Sequence, residues 1–367
     1  MSKKVKSMHR GRVLQMPIYL KKQFRGFIYQ NDWKVLPMAA VIAALVSMVI
    51  RKDFFVDMEG TLKGSFALTF VAIWNGCFNS IQVICRERGI LKREHRSGLH
   101  VSSYVAAHMV YQAVLCLAQT VIILYVSKLC GVKFSAGKPL FTRWLIVDLG
   151  ISVFLISYAS DMMSLFISAI VRNTTSAMTV MPFVLIFQLV FGGFFPMTGI
   201  AKTVSGFTVS NYGLRCIAAQ ADYNGLPSSV GWKAVEKMKD KRITYTLTVG
   251  EAIDAVEGST LPAVRQLADT PIALGMTLED AADASVALGV LDPGQSLTVD
   301  TSIGEIMDAF GRERAEEIIK RNTAIPNAKY VRTKDNITGC WWRLLLFIAV
   351  FALLSMIFLK RIDKDKR

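Results

Sequence analysis

Few residues in this chain are of the types that do chemistry, and their spacing suits docking better than bond-breaking. The densest set lies between Cys85 and Gly98, where Glu87, Arg88, Arg93 and Glu94 mix both signs along a helix-forming run. Such a run can make charge-assisted hydrogen bonds to a partner protein. Two carboxylates, Asp148 and Asp161, stand inside an apolar stretch. An ionisable residue there points to function, and the alternative is a carboxylate hydrogen-bonded within the bundle, to Ser160, Ser164 or a neighbouring helix. Gly131-Val132-Lys133-Phe134-Ser135-Ala136-Gly137-Lys138-Pro139 superficially suggests a phosphate loop. Its spacing is wrong, and Pro139 stands where a hydroxyl should meet magnesium. His9, His95, His100 and His108 form no metal-binding pattern, and no G-x-S-x-G elbow is present. Cys77, Cys85, Cys116, Cys130, Cys216 and Cys340 include no C-x-x-C pair. Cys130, Cys216 and Cys340 fall toward one face, where pairing is open. Asn173-Thr174-Thr175 and Asn336-Ile337-Thr338 match the glycosylation sequon. Catalysis by this chain alone is not expected, and neither a cofactor nor a metal is assigned to it.

The elements that must position these residues are membrane helices. Of 367 residues 52% are hydrophobic and only 19% charged, with mean hydropathy +0.38. A soluble domain has about 45–50% apolar and about 25% charged residues. Six segments approach the roughly 20 residues that cross a bilayer: 33–50, 64–84, 101–129, 144–171, 177–195 and 340–359. The basic N-terminus lacks an apolar core and a small-residue cleavage site, so it is not read as a cleaved signal. The N-terminus, the 85–100 run, the 172–176 turn and the C-terminal tail together hold about 20 Lys and Arg against about 5 Asp and Glu. Residues 196–338 hold about 15 against about 18. The positive-inside rule therefore puts both termini in the cytoplasm and 196–338 outside. The net charge of +15 reflects topology and anionic lipid, with no nucleic-acid partner.

The expected fold is an all-α integral membrane protein with six transmembrane helices. Residues 1–32 form a basic tail and an amphipathic interfacial helix, in which Leu20, Phe24, Phe27 and Ile28 recur opposite Lys21, Lys22 and Arg25. Residues 33–225 carry helices 1–5, a connecting helix at 85–100 and a re-entrant segment at 197–220. Residues 226–338 form a small, mostly helical extracytoplasmic insert, and 339–367 the last span with its basic tail. Within the insert, Thr248-Val249-Gly250-Glu251 and Ser302-Ile303-Gly304-Glu305 look like capping boxes opening helices. Leu247-Thr248-Val249 and Leu297-Thr298-Val299 each precede a Gly-Glu-x-x-Asp-Ala run, 250–255 and 304–309, a faint repeat of about 50 residues, and Asp292-Pro293-Gly294 marks a turn between them.

Three stretches carry a resemblance. They are Asn75 to Ser80; Glu87-Arg88-x-Ile90-Leu91-x-Arg93-Glu94 with Gly98 and Ser102-Ser103-Tyr104; and Leu189 to Phe195 followed by Ser210-Asn211-Tyr212-Gly213-Leu214. Together they resemble the membrane domain of type-2 ABC exporters, most nearly that of the G subfamily of white and multidrug half-transporters. The resemblance covers most of the chain outside 226–338. It implies a permease subunit that moves an amphipathic or hydrophobic substrate by alternating access. A separate ATPase subunit would bind ATP and magnesium, and a second permease subunit, identical or not, would complete the pore. By the same match Asn75, Phe78, Asn79, Ile186 and Leu189 line the substrate cavity. Phe194 and Phe195 form a hydrophobic plug, and Glu87, Arg88, Arg93 and Glu94 couple to the ATPase. The expected location is a cell membrane, on these features a bacterial plasma membrane. Two departures stand out: no ATPase is fused to this chain, and the last external loop is longer than the family's. The competing reading is a membrane-anchored binding protein that displays 226–338 outside the cell.

Overall fold

A computed structural model of the chain describes residues 11–29, 32–135, 139–248, 251, 296–309 and 311–360. The chain divides into two compact units, Met1–Leu226 with Ala324–Arg367, and Pro227–Thr323.

The first unit is helical. Helix α1 (Arg12–Tyr29) precedes a 3-10 turn (Asp32–Lys34) and α2 (Val35–Ile50). Next come α3 (Met58–Ser80), α4 (Val83–Arg96), α5 (Val101–Leu129), α6 (Leu145–Ile170) and α7 (Thr174–Val190). Helices α8 (Gly199–Ser205) and α9 (Val209–Gln220) follow, and the long helix that ends the unit starts at Lys334 and ends at Leu359. Helix starts are set by short polar side chains that accept an otherwise orphaned N–H. Asp57 accepts from Gly60 N, Asn173 from Ser176 N, Thr208 from Asn211 N and Thr333 from Asn336 N.

Helix α6 is the hub, packed against α3, α5, α9 and the last helix. Its buried face is built from small residues, among them Ser152, Ser157, Ala159, Ser160, Ser164 and Ser168. In lipid, helices gain little from apolar burial alone, so close backbone approach and interhelical hydrogen bonds hold them together. At Gly76 of α3 a Cβ would stand 2.1 Å from the Ser157 carbonyl oxygen, so only glycine permits this crossing. Ser160 Oγ then donates to the Ile73 carbonyl at 2.9 Å.

Both intramembrane carboxylates are hydrogen-bonded within this packing. Asp148, 1% exposed, accepts the backbone N–H groups of Leu140, Phe141 and Thr142 at 3.2, 3.1 and 3.0 Å and so pins the α5–α6 loop. Asp161 accepts from Ser80 Oγ across the α3–α6 contact, while its Oδ2 has no partner among the described residues. All six cysteines are free thiols. Both sequon asparagines make hydrogen bonds, Asn173 through its Oδ1 and Asn336 through both side-chain atoms. Asn173 caps α7, and Asn336 Nδ2 donates to the Lys329 and Val331 carbonyls while its Oδ1 accepts from Arg215.

The fifth apolar segment differs from its expected extent. Among the described residues five helical stretches are long and apolar enough to cross a membrane, namely Asp32–Ile50, Met58–Arg96, Val101–Leu129, Leu145–Ile170 and Lys334–Leu359. Helix α7 stops at Val190 rather than Phe195, because Gly192 and Gly193 (φ 80°) turn the backbone out of the helix. Its 17 residues reach about 25 Å at 1.5 Å per residue, short of the hydrocarbon thickness.

The second unit contains α10 (Val230–Lys237), strands β1 (Arg242–Thr248) and β2 (Ser296–Ser302), α11 (Ile303–Ala309) and α12 (Arg312–Asn322). The strands pair antiparallel, Arg242 opposite Ser302 and Thr248 opposite Ser296. The sequence pattern predicts a mostly helical insert and marks no strand in it. Leu247-Thr248 and Leu297-Thr298-Val299 in fact supply β-strand residues, with Leu247 opposite Leu297. Both capping boxes close: Thr248 N and Glu251 N exchange bonds with Glu251 Oε2 and Thr248 Oγ1, as do Ser302 and Glu305. These backbone bonds hold the Glu251 and Glu305 carboxyls below their ordinary range. The helix expected after Glu251 and the Asp292-Pro293-Gly294 turn lie outside the described residues. So do Ala136 to Lys138, the first ten residues and the tail from Arg361.

With the last helix taken as α13 (Lys334–Leu359), the core of the first unit runs from α2 through α3, α5 and α6 to α13.

Candidate functional site: the α4 elbow and the α3–α7 face

Helix α4 follows α3 after a two-residue break at Ile81 and Gln82, so the elbow is a stiff continuation of a buried helix. Ser168 Oγ of α6 accepts from the backbone N–H groups of Ile84 and Cys85, at 3.0 and 3.2 Å, and satisfies the first turn of α4. Ile84 and Leu91 are buried beneath the elbow. The polar residues divide between two faces. Arg88 points inward and donates to the Ala169 and Val171 carbonyls at 3.1 and 2.9 Å, where the end of α6 leaves acceptors unpaired. Glu87 accepts from Tyr104 Oη at 3.3 Å. Glu94 accepts from Tyr19 Oη at 3.1 Å and pairs with Lys22 at 3.3 Å. The outward face carries Arg86, Gly89, Ile90, Arg93 and Arg96.

The clamp formed by α1 has no counterpart in the sequence reading. Gln15 bridges the α4–α5 turn, its Nε2 donating to the Gly98 carbonyl and its Oε1 accepting from His100 N. Gln23 Nε2 lies 2.9 Å from His108 Nε2. Tyr19 meets Tyr104 edge to face, and Phe24 meets Tyr111 in the same way. The aromatic stripe of α1 therefore covers α5 in part, while Ile28 stays exposed. Burial, and then the Glu94 charge, push the Tyr19 phenol up to about 12. Only the amphipathic period of α1 was visible in advance, because its partners lie more than 70 residues away.

The five residues assigned to a cavity do not share one surface. Phe78 is exposed and stacks on exposed Trp74 one turn earlier. Ile186 and Leu189 are 58% and 39% exposed on α7, beside Phe183, Phe187 and Val190. Asn75, at 3% exposure, is turned into the bundle, so its side chain reaches no surface of this chain. Asn79 is nearly buried too. It exchanges two hydrogen bonds with Gln119 of α5, at 2.8 and 3.0 Å, which fixes the amide of each.

The two phenylalanines after α7 also part company. Phe194 packs on Phe66 of α3, ring centroids 4.5 Å apart, beside the small cluster of Leu214, Ala218 and Tyr330. Phe195 stands edge-on to Phe194 and is exposed. Gln188 holds the turn to α9: its Oε1 accepts from Ser210 N at 3.1 Å, and its carbonyl accepts from Ser210 Oγ at 2.6 Å. A Cβ on Gly192 would meet that carbonyl at 2.8 Å. A short cleft of about 190 Å³ lies where Gln23, Asp32, Phe78, Asn79, Glu87 and Tyr111 converge.

Residues 15–211, more than half of the 367, match the family model of the ABC-2 type transporter. The chain belongs to this family. No curated protein matches it. The matched region runs from the α1 clamp through the elbow and α7 to the start of α9, so the geometry just described is that of an ABC-2 membrane domain. Such a domain is a multi-pass permease domain without an ATPase site. Family membership implies, in general terms, an ATPase partner and assembly in pairs. Of the four coupling residues expected on this elbow, the inward contacts of Glu87, Arg88 and Glu94 leave Arg93 facing outward, beside exposed Ile90.

Proposed function

We propose that this chain is the permease subunit of an ABC exporter of the G-subfamily kind, moving an amphipathic or hydrophobic substrate by alternating access. A separate ATPase subunit binds ATP and magnesium and drives the cycle. The observation that carries this reading is the elbow: a helix with its own packed underside and an outward face of Arg86, Ile90, Arg93 and Arg96. An anchor for an external domain needs no such surface. ATP-driven closure of two ATPases would press on this face. Because α4 continues α3 and is tied to the ends of α5 and α6, the push would tilt those helices as rigid bodies.

A second permease copy, or a related chain, would cover the exposed apolar residues of α3 and α7, with Trp74, Phe78, Phe183 and Ile186 at the shared cavity and Phe195 at its far end. Phe194, held on Phe66, would set where that plug sits. The termini and elbow face the cytoplasm, by the Lys and Arg balance, and a separate ATPase subunit fits a bacterial plasma membrane. A mild-detergent pull-down of the tagged chain from native membranes tests the reading. Stoichiometric recovery of an ATP-binding-cassette protein with vanadate-sensitive ATPase activity is expected. A chain recovered alone from membranes in which it is active would sink the reading.

A further inference from the structure

The cleft beside the elbow suits one end of a substrate, and its lining selects the charge of that end. We propose that it binds the head of a cationic amphiphile, a protonated or quaternary amine, before the substrate reaches the α3–α7 face; this rests on the permease reading. A site for a whole drug-sized ligand has about 300–1,000 Å³, whereas this one has about 190 Å³. It therefore takes a head group and leaves the tail outside.

Three charged residues line the cleft, Asp32, Arg86 and Glu87. Arg86 is already paired with Asp32, at 3.5 Å. Glu87 accepts from the neutral Tyr104 hydroxyl and has no ion-pair partner among the described residues. The balance is one carboxylate beyond neutrality. Two aromatic rings, Phe78 and Tyr111, share the lining. Rings beside an uncompensated carboxylate are what an ammonium group recognises, through the ring quadrupole and direct charge. An anion entering the cleft would face Glu87 with no free cation to meet it. The tail has an apolar path, because Phe78 stacks on Trp74 with centroids 5.3 Å apart and both are exposed.

Equilibrium dialysis of the full chain in maltoside detergent tests this with two probes of similar size, benzyltrimethylammonium and benzenesulfonate. Saturable binding of the cation, near one per chain, and none of the anion is expected. Glu87→Gln keeps the acceptor for Tyr104 but removes the charge, and should weaken cation binding about tenfold. Val35→Trp fills the rim and leaves every charge in place, and should abolish it. Equal retention of the anion overturns the proposal without any variant. Unchanged binding in either variant, with its melting curve intact, also overturns it by putting the cation elsewhere. The assay uses the isolated chain and no ATPase, so its failure leaves the permease reading standing.

Discussion

Replacing Glu94 with Gln should loosen α1 without disturbing the bundle. The carboxylate holds two groups of α1: Tyr19 Oη at 3.1 Å and Lys22 Nζ at 3.3 Å. The Lys22 and Glu94 side chains are 39% and 31% exposed, so their ion pair contributes only about 0.5 kcal/mol after screening. Changing the Tyr19 acceptor from charged to neutral removes roughly 0.5–1 kcal/mol more. The sum, about 1–1.5 kcal/mol, is a five- to tenfold change in an opening equilibrium. Hydrogen exchange read by mass spectrometry should show that acceleration over 12–29 alone, with 145–170 unchanged. The Gln15 bridge and the aromatic contacts remain, so α1 stays docked most of the time. Glu94→Lys should do more, since it sets two cations against each other. Unchanged exchange in 12–29 would refute the clamp. Equal acceleration everywhere would refute its independence from the bundle.

Asp148→Ala removes the acceptor of three backbone N–H groups and should lower stability by about 3 kcal/mol; an unaltered thermal midpoint would contradict the loop anchor. Gly76→Ala drives a Cβ into the Ser157 carbonyl, forces α3 and α6 apart and should destabilise by about 1–3 kcal/mol in a detergent melt. Stability should hold up to about pH 10 and fall between 10 and 12. Tyr19 and Tyr330, each pushed up to about 12 chiefly by burial, must ionise on unfolding before they ionise in the fold. Their phenylalanine variants should flatten that alkaline loss, and an unchanged slope would count against it. Arg93→Glu should cut ATPase coupling while exchange in 12–29 stays at the wild-type rate, because Arg93 faces outward.

The elbow was legible because its composition contrasts with the apolar runs on either side, and such contrast needs no partner to be seen. Capping boxes were legible for a related reason: a Ser or Thr and a Glu three residues later complete their contacts within one turn. The end of α7 was misplaced because phenylalanines continue the apolar run past Gly193, and hydropathy does not register a positive φ. The strand pair in the second unit was missed because β1 and β2 are joined across some 50 residues, so the partner that completes each ladder leaves no local signal.

What the sequence determined by itself is the medium and the local elements: apolar runs of bilayer length, an amphipathic first helix, a charged elbow and the turns between them. These follow from transfer of side chains to lipid and from hydrogen bonds within a turn, both set by neighbours along the chain. Only the tertiary structure decided which way each side chain of the elbow points. Glu94 is spent on α1, Arg88 on the end of α6 and Glu87 on Tyr104, while Asn75 turns into the bundle and Phe78 away from it. The reason is geometric. A helix has a face for every residue, and which face is inside depends on the rotation fixed by Gly76 against Ser157 and by Ser168 beneath the elbow, contacts between residues some 80 positions apart.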